Sequence, residues 1–290
     1  MIEKKKSIGR ICETAQSIRD GTVTCRRIVE KLLFRIAQMD KDARSWVWVA
    51  TERVLKEASK LDELLKRGID LGPLHGIPVG IKDIIDVHDW PTACGSKLWE
   101  KSFARMDAPV VQRLRQAGAI ILGKTVTTAY ASFDPPETKN PWNPLRTPGG
   151  SSSGSAAAVA NSMCLASLGT QTGGSIIRPA AYCGISACKP SYGFTSLEGV
   201  LPLAKSMDHI GPMAHSVEDL RILMGAIAEK GSSRLTGGIK SNRKRKKETP
   251  VLGIPEGFFE KRASPEILQT FSETVAGLET EGACLTLIHS

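Results

Sequence analysis

Residues 147–160 read TPGGSSSGSAAAVA and residues 169–180 read GTQTGGSIIRPA, and the fold turns on whether these stretches are tethers or structure. By composition alone the first belongs in a flexible Gly/Ser linker. Its setting argues for order. A run of helix formers, residues 156–160, continues it directly, and an apolar stretch, residues 163–168, leads towards the second. Gly149-Gly150-Ser151 is then answered 24 positions later by Gly173-Gly174-Ser175. Glycine-rich turns allow positive φ and close backbone approach, so that successive N–H groups converge on an anion.

Upstream, Ile28, Val29, Leu32, Leu33 and Ile36 recur at helix spacing, and Leu55, Ala58, Leu61 and Leu65 repeat the pattern. Two amphipathic helices are predicted there, after a shorter one over about residues 7–19. Residues 75–87, HGIPVGIKDIIDV, are β-branched and punctuated by Gly and Pro, which predicts a buried strand and turn. Asp107 is placed to cap a helix with Pro109 in its first turn, Val110, Val111 and Leu114 on its apolar face, and Gly118 as its stop. Ile120-Ile121-Leu122 returns as a strand. Helix alternating with strand predicts an α/β fold whose sheet contains parallel pairs and is covered by helices on both faces. Downstream, Ser216 with Asp219 three positions on signals another helix with Leu220, Leu223 and Met224. Residues 284–288, CLTLI, read as an interior strand with only His289 and Ser290 after it, so either it is an edge strand or its pairing partner is missing.

The chain has 290 residues, 41% hydrophobic and 24% charged, enough to bury a substantial core and incompatible with disorder throughout. No apolar run approaches the ~18 residues of a membrane-spanning helix, and the start lacks the apolar segment of a signal peptide, so a cytoplasmic protein with no membrane association is expected. Seven scattered cysteines suggest neither a disulfide framework nor a metal cage. The formal net charge is +9, but residues 240–247 alone carry six positive charges and no negative one, leaving +3 for everything else. This run reads as a solvated linker, flanked by Gly237-Gly238 and Pro250. No aromatic residue interleaves it, so no nucleic-acid partner is expected.

The glycine-rich stretches lack the loop lysine of a phosphate-binding P-loop and the G-x-G-x-x-G dinucleotide signature. The remaining anion is the oxyanion of a tetrahedral intermediate, for which Ser175 supplies a nucleophilic hydroxyl. None of His75, His88, His209, His215 and His289 sits in a setting that marks a triad base. Lysine is the alternative. Lys82 lies in a strand-like region where desolvation would favour the neutral amine, although a strand-end lysine with its ammonium in water fits the local sequence as well.

These residues resemble the amidase signature family of serine hydrolases. The motifs LHGIPVGIKD, DAPVVQRLRQAGAIILGKT, NPWNP, TPGGSSSGSAAAVA, GTQTGGSIIRPAAYCG, KPSYG and HIGPMAHSVEDL occur in order along nearly the whole chain. The resemblance implies the amidase signature fold, α/β with a central mixed sheet, and a Ser-Ser-Lys triad. In it Ser175 is the nucleophile, Ser151 the bridging serine in a cis peptide, and Lys82 the base. It implies an oxyanion hole from the N–H groups of Thr172, Gly173, Gly174 and Ser175, with Ser152 and Thr170 in support, and amide hydrolysis through an acyl-enzyme without cofactor or metal. One domain is expected over residues 1–290: N-terminal helices over 1–70, a catalytic core over 71–230, a basic linker over 231–250, and the start of the C-terminal part of the sheet over 251–290, the remainder being absent.

Departures from the family pattern refine this. The arginine commonly two positions after the nucleophile lies three after it, as Arg178, and the aspartate before Thr-Gly-Gly-Ser is Gln171. Both look like the branch that includes malonamidase, where this arginine grips a substrate carboxylate, a task suited to bidentate guanidinium pairing. A loop-stabilising role is the alternative for Arg178. Ala129 replaces a customary glutamate, and Ala187-Cys188 a customary Gly-Phe.

The expected function is therefore a free-standing amidase of small, carboxylate-bearing amides. The amidase component of a tRNA-dependent amidotransferase is the second reading, against which the arginine shift and Gln171 weigh. A catalytically inactive truncated relative is the third. An apolar surface left by missing walls would favour association with another chain, a homodimer included.

Overall fold

The computed structural model describes residues 11–229 and 249–289. The chain divides into two compact units, Met1–Gly238 and Ile239–Ser290. The basic run 240–247 and residues 7–10 of the first expected helix lie outside the described residues.

The first unit opens with α1 (Ile11–Arg19) and α2 (Cys25–Ala43), followed by β1 (Trp46–Val49) and α3 (Thr51–Lys66). The apolar stripe of α2 is buried at Cys25, Ile28, Val29, Leu32 and Ile36, and Thr24 caps the helix by accepting from Arg27 N. Then come β2 (Pro78–Lys82), α4 (Pro109–Gln116), β3 (Ile120–Thr125), α5 (Ser153–Ala160), β4 (Ala166–Gln171), α6 (Ile177–Cys183), β5 (Ser186–Ala187), β6 (His209–Ala214) and α7 (Val217–Ile227). Asp107 does not cap α4. Ala108 holds that position, while Asp107 accepts from His88 N and from Arg115 Nε. Ser216 does cap α7, accepting from Asp219 N at 3.2 Å.

The strands form one six-stranded sheet in the order β1-β3-β2-β4-β6-β5. β2 pairs in parallel with β3 and β4, whereas β1, β5 and β6 join antiparallel, so the sheet is mixed. Every residue of β2, β3 and β4 is buried, as expected for strands covered on both faces. Pleat alternation separates the two layers. Ile210 and Ala214 of β6 join the larger cluster with α1, α2, α3, α4 and α7, and Met213 joins the smaller one with Ala156 of α5 and Ala180 of α6.

Helix α5, the centre of the Gly/Ser-rich stretch, is buried at every position from Ser153 to Val159. Its small side chains let its backbone close on the sheet. A Cβ added at Gly154 would lie 2.2 Å from Ser45 O and 2.4 Å from Val126 N.

The second unit contains β7 (Val251–Glu256), α8 (Pro265–Thr280) and β8 (Cys284–His289). The strand expected over residues 284–288 is β8. It pairs in parallel with β7, so the two make a two-stranded sheet of their own instead of extending the six-stranded one.

Candidate active site

Strands β2 and β4 run in parallel, so their carboxyl ends, Lys82 and Gln171, reach the same edge of the sheet. The chain leaves β2 for β3 on one side, while β4 lies on the other. Such a switch point leaves a crevice outside the carboxyl ends of the strands, where α/β folds place their sites.

Lys82 is fully buried, and its Nζ lies 2.7 Å from Ser151 Oγ and 2.7 Å from Thr170 Oγ1. Burial pushes its amine well below the usual lysine range, and the charge of Asp208 opposes this only in part. Ser151 follows a cis peptide bond from Gly150 and leads into α5. Ser152 ties the two glycine-rich turns together. Its N–H donates to Ser175 O at 3.3 Å, and its Oγ exchanges hydrogen bonds at 3.2 Å with the carbonyl and N–H of Thr170.

Ser175 is 9% exposed, and its Oγ has no hydrogen-bond partner among the described residues. The structure thus brings Lys82, Ser151, Ser152 and Thr170 into direct contact. It joins Ser175 to them through the Ser152 N–Ser175 O bond and leaves its hydroxyl unengaged. Among the described residues, the N–H groups of Thr172, Gly173, Gly174 and Ser175 likewise donate to no protein acceptor. A Cβ added at Gly173 would meet nothing within 4 Å, so this run of free donors borders open space.

Gln171 fastens the same loop from within. Its Oε1 accepts from Ile176 N at 2.8 Å and from Ile177 N at 3.0 Å, while its Nε2 donates to Gly173 O at 3.0 Å. An aspartate there could accept but not donate, which gives the Gln171 departure a physical content. Arg178 donates through Nε (3.0 Å) and Nη2 (2.7 Å) to Gly150 O, the carbonyl immediately before Ser151. This bond braces the turn, the alternative role weighed for Arg178. The residue is exposed and keeps further donors. The NPWNP motif locks the far end of α6: Asn140 Nδ2 donates to Thr147 O and Tyr182 O, and Trp142 Nε1 to Cys183 O.

Two contacts were not legible in the sequence. Asp208, immediately before β6, accepts from Thr172 Oγ1, and Gln171 reaches over its own loop. The first depends on how β4 pairs with β6, which local sequence does not signal; the second is local to residues 171–177 but depends on how that loop turns back on itself. Among the described residues there is no group of three His, Cys, Asp or Glu side chains that could hold a metal, and no helix long and apolar enough to cross a membrane.

A family model described as Amidase matches residues 27–289. The chain belongs to the Amidase family. This Amidase-family chain is 38% identical over 285 residues to the A-type subunit of the glutamyl-tRNA(Gln) amidotransferase of Syntrophus aciditrophicus (strain SB), covering 94% of this chain and 59% of that protein. The corresponding protein of Chlamydia pneumoniae is also 38% identical, over 286 residues, covering 94% of this chain and 58% of that protein. The chain thus spans about six-tenths of the length of the curated relatives it matches. Among solved structures, the peptide amidase from Stenotrophomonas maltophilia matches with a TM-score of 0.86 at 29% identity, over 98% of this chain and 63% of that one. A further amidase crystal structure matches with a TM-score of 0.81 at 35% identity, over 97% of this chain and 63% of that one. The α/β architecture with its mixed sheet is that of the amidase signature enzymes.

Proposed function

We propose that the chain hydrolyses carboxamides, with Ser175 as nucleophile, Ser151 as proton relay and Lys82 as base. One observation carries the reading: a wholly buried amine whose hydrogen-bond acceptors are the hydroxyls of Ser151 and Thr170 lies at the sheet edge that also holds Ser175 and four unengaged N–H groups. Burial without a carboxylate in contact disfavours the charged form of an amine and so equips it to accept a proton. Ser175 Oγ attacks the amide carbonyl while its proton passes to Ser151, whose own proton passes to Lys82. The oxyanion is received by the N–H groups of residues 172–175. Collapse of the tetrahedral intermediate breaks the C–N bond, and the leaving nitrogen takes the proton back through Ser151 to depart as ammonia or an amine. Water then cleaves the Ser175 ester by the same relay.

For substrate class, the 38% identity to glutamyl-tRNA(Gln) amidotransferase subunits supports the second reading, in which the ammonia is passed to a partner, over the free-standing amidase. The two share every step at Ser175. The carboxylate grip of Arg178 belongs to either, through the donors not spent on Gly150 O.

A fluorophosphonate probe tests the core of the proposal. In the wild type Ser175 Oγ is expected to displace fluoride from the probe's phosphorus and carry a phosphonyl ester, and Ser175→Ala to stay unlabelled. Equal absence of label in both overturns the enzyme reading in favour of an inert relative. Ammonia release from glutamine, with and without amidotransferase partner proteins and charged tRNA, then separates the two substrate readings.

A further inference from the structure

Beyond the Lys-Ser-Ser chain, one carboxylate is built into this edge of the sheet. Asp208 directly precedes β6, and because Gln171 pairs with His209, Asp208 falls opposite Thr172 as the antiparallel ladder is extended. It is 8% exposed, and three donors converge on it. Thr172 Oγ1 donates to Oδ1, and Leu203 N and Ala204 N each donate to Oδ2 at 2.9 Å. The turn carrying the last two is closed by Met207 N and Asp208 N, both donating to Ala204 O. The carboxylate thus ties the first residue of the free N–H run to the turn over residues 203–208. A continuous path of contacts connects it to the base: Asp208 to Thr172, along the strand to Thr170, and from Thr170 Oγ1 to Lys82 Nζ.

We propose, resting on the hydrolytic reading above, that Asp208 is a positioning residue for the reaction at Ser175. Its carboxylate fixes Thr172 so that the 172–175 donors keep their aim, and its charge steadies the ammonium that forms on Lys82 as the proton arrives. The other charged or titratable groups around Lys82 are placed differently. Asp83 and Lys124 lie on the opposite face of the sheet by pleat alternation and pair with each other, Nζ to Oδ1 at 3.0 Å. Arg178 is engaged with Gly150 O, and His209 turns its Nδ1 to Met207 O and its Nε2 to Lys189 Nζ. Asp208 is, among the described residues, the carboxylate joined to Lys82 on this edge, through Thr172, the strand to Thr170 and the Thr170–Lys82 bond.

The test is the rate of fluorophosphonate labelling of Ser175 from pH 6 to 10, with thermal unfolding in parallel, for the wild type, Asp208→Asn, Asp208→Glu and Thr172→Val. Asp208→Asn is expected to lower the high-pH labelling rate ~10- to 100-fold, less than the ~10²- to 10³-fold that outright loss of one oxyanion donor costs, because the Thr172 N–H is displaced and not removed. It should also move the midpoint of the pH profile downwards by about half to one unit, because removing the negative charge eases deprotonation of Lys82. Thr172→Val should lower the rate and leave the midpoint in place, and Asp208→Glu should retain the midpoint. A purely structural carboxylate would lower the unfolding temperature without moving the midpoint, and that result overturns the proposal. So does an Asp208→Asn enzyme that matches a labelling wild type in rate and midpoint, with the hydrolytic reading intact. A wild type that never labels overturns the hydrolytic reading first and this inference with it.

Discussion

Two lysines, Lys82 and Lys124, are wholly buried one strand apart in the same sheet, and their neighbours differ in kind. Lys124, on β3, has its Nζ 3.0 Å from Asp83 Oδ1 and donates to Pro91 O and Thr92 Oγ1. Lys82, on β2, meets two hydroxyls and no carboxylate in contact. Burial pulls both amines towards neutrality. Only Lys124 has a carboxylate at its nitrogen to hold the charge, and burial in turn raises Asp83. A buried ion pair contributes structure, whereas a buried amine among hydroxyls is free to take up a proton. On the proposed reading, what separates the structural lysine from the base is therefore the chemistry of the partner, since depth is the same for both.

Exchanging each lysine for an apolar residue of similar length tests this division most sharply. Lys82→Met is expected to reduce phosphonylation of Ser175 ~10⁴- to 10⁶-fold, the range of loss seen when one member of a catalytic triad is removed. Its unfolding midpoint in urea should hold or rise. An active Lys82→Met enzyme would dissolve the contrast. Lys124→Met should do the reverse: it strands Asp83 without a counter-charge and costs about 3–5 kcal/mol in urea unfolding. The double variant Asp83→Asn/Lys124→Met should recover most of that. If the single variant were as stable as the wild type, the pair would have no structural role.

A smaller effect probes the packing behind Lys82. A Cβ added at Gly169 would lie 2.8 Å from Ser152 Oγ, so Gly169→Ala should destabilise by about 1–3 kcal/mol and slow labelling by shifting Ser152. Unchanged stability and rate would mean that the turn yields at no cost.

The smallest expected signal is a slope. With the folded pKa of Lys82 lowered, the unfolded chain binds the extra proton between that value and the ordinary lysine range. Stability should rise with pH across this window, by at most ~1.4 kcal/mol per unit. Lys82→Met should flatten that part of the profile and leave any slope due to Lys124. Identical profiles for the two proteins would show that Lys82 is charged when folded.

The sequence announced those elements whose signal is local. Ile28 to Ile36 on α2, the Ser216 cap of α7 and the β-branched runs of β2 and β3 each carry their period or cap in adjacent residues. At α4 the sequence named the right turn and the wrong cap, because Asp107 is drawn to His88 N and Arg115 instead. The short edge strand β1 and the Gly-Pro-interrupted β6 have no such signature, whereas α8 does carry one, Leu268, Phe271, Val275 and Leu278 at helix spacing, which the sequence reading passed over. At the site, Lys82 stood out as a charge in an apolar strand, with a solvated strand end as its alternative, and the second Gly-Gly-Ser turn marked Ser175, while the place of Ser151 came only from the family resemblance. Thr172 with Asp208 could not be paired from sequence, since the two residues are 36 apart and meet only through the β4–β6 register.

The crowding around α5 limits what variation this segment can tolerate. With Ser45 O and Val126 N already inside the reach of a Cβ at position 154, each added carbon there must push apart the chain before β1 and the chain after β3. A library randomised over residues 153–158 and sorted for folded protein should return little besides glycine, alanine and serine. What has the look of a spacer is thus a buried helix, and at position 154 its want of a side chain is a matter of room.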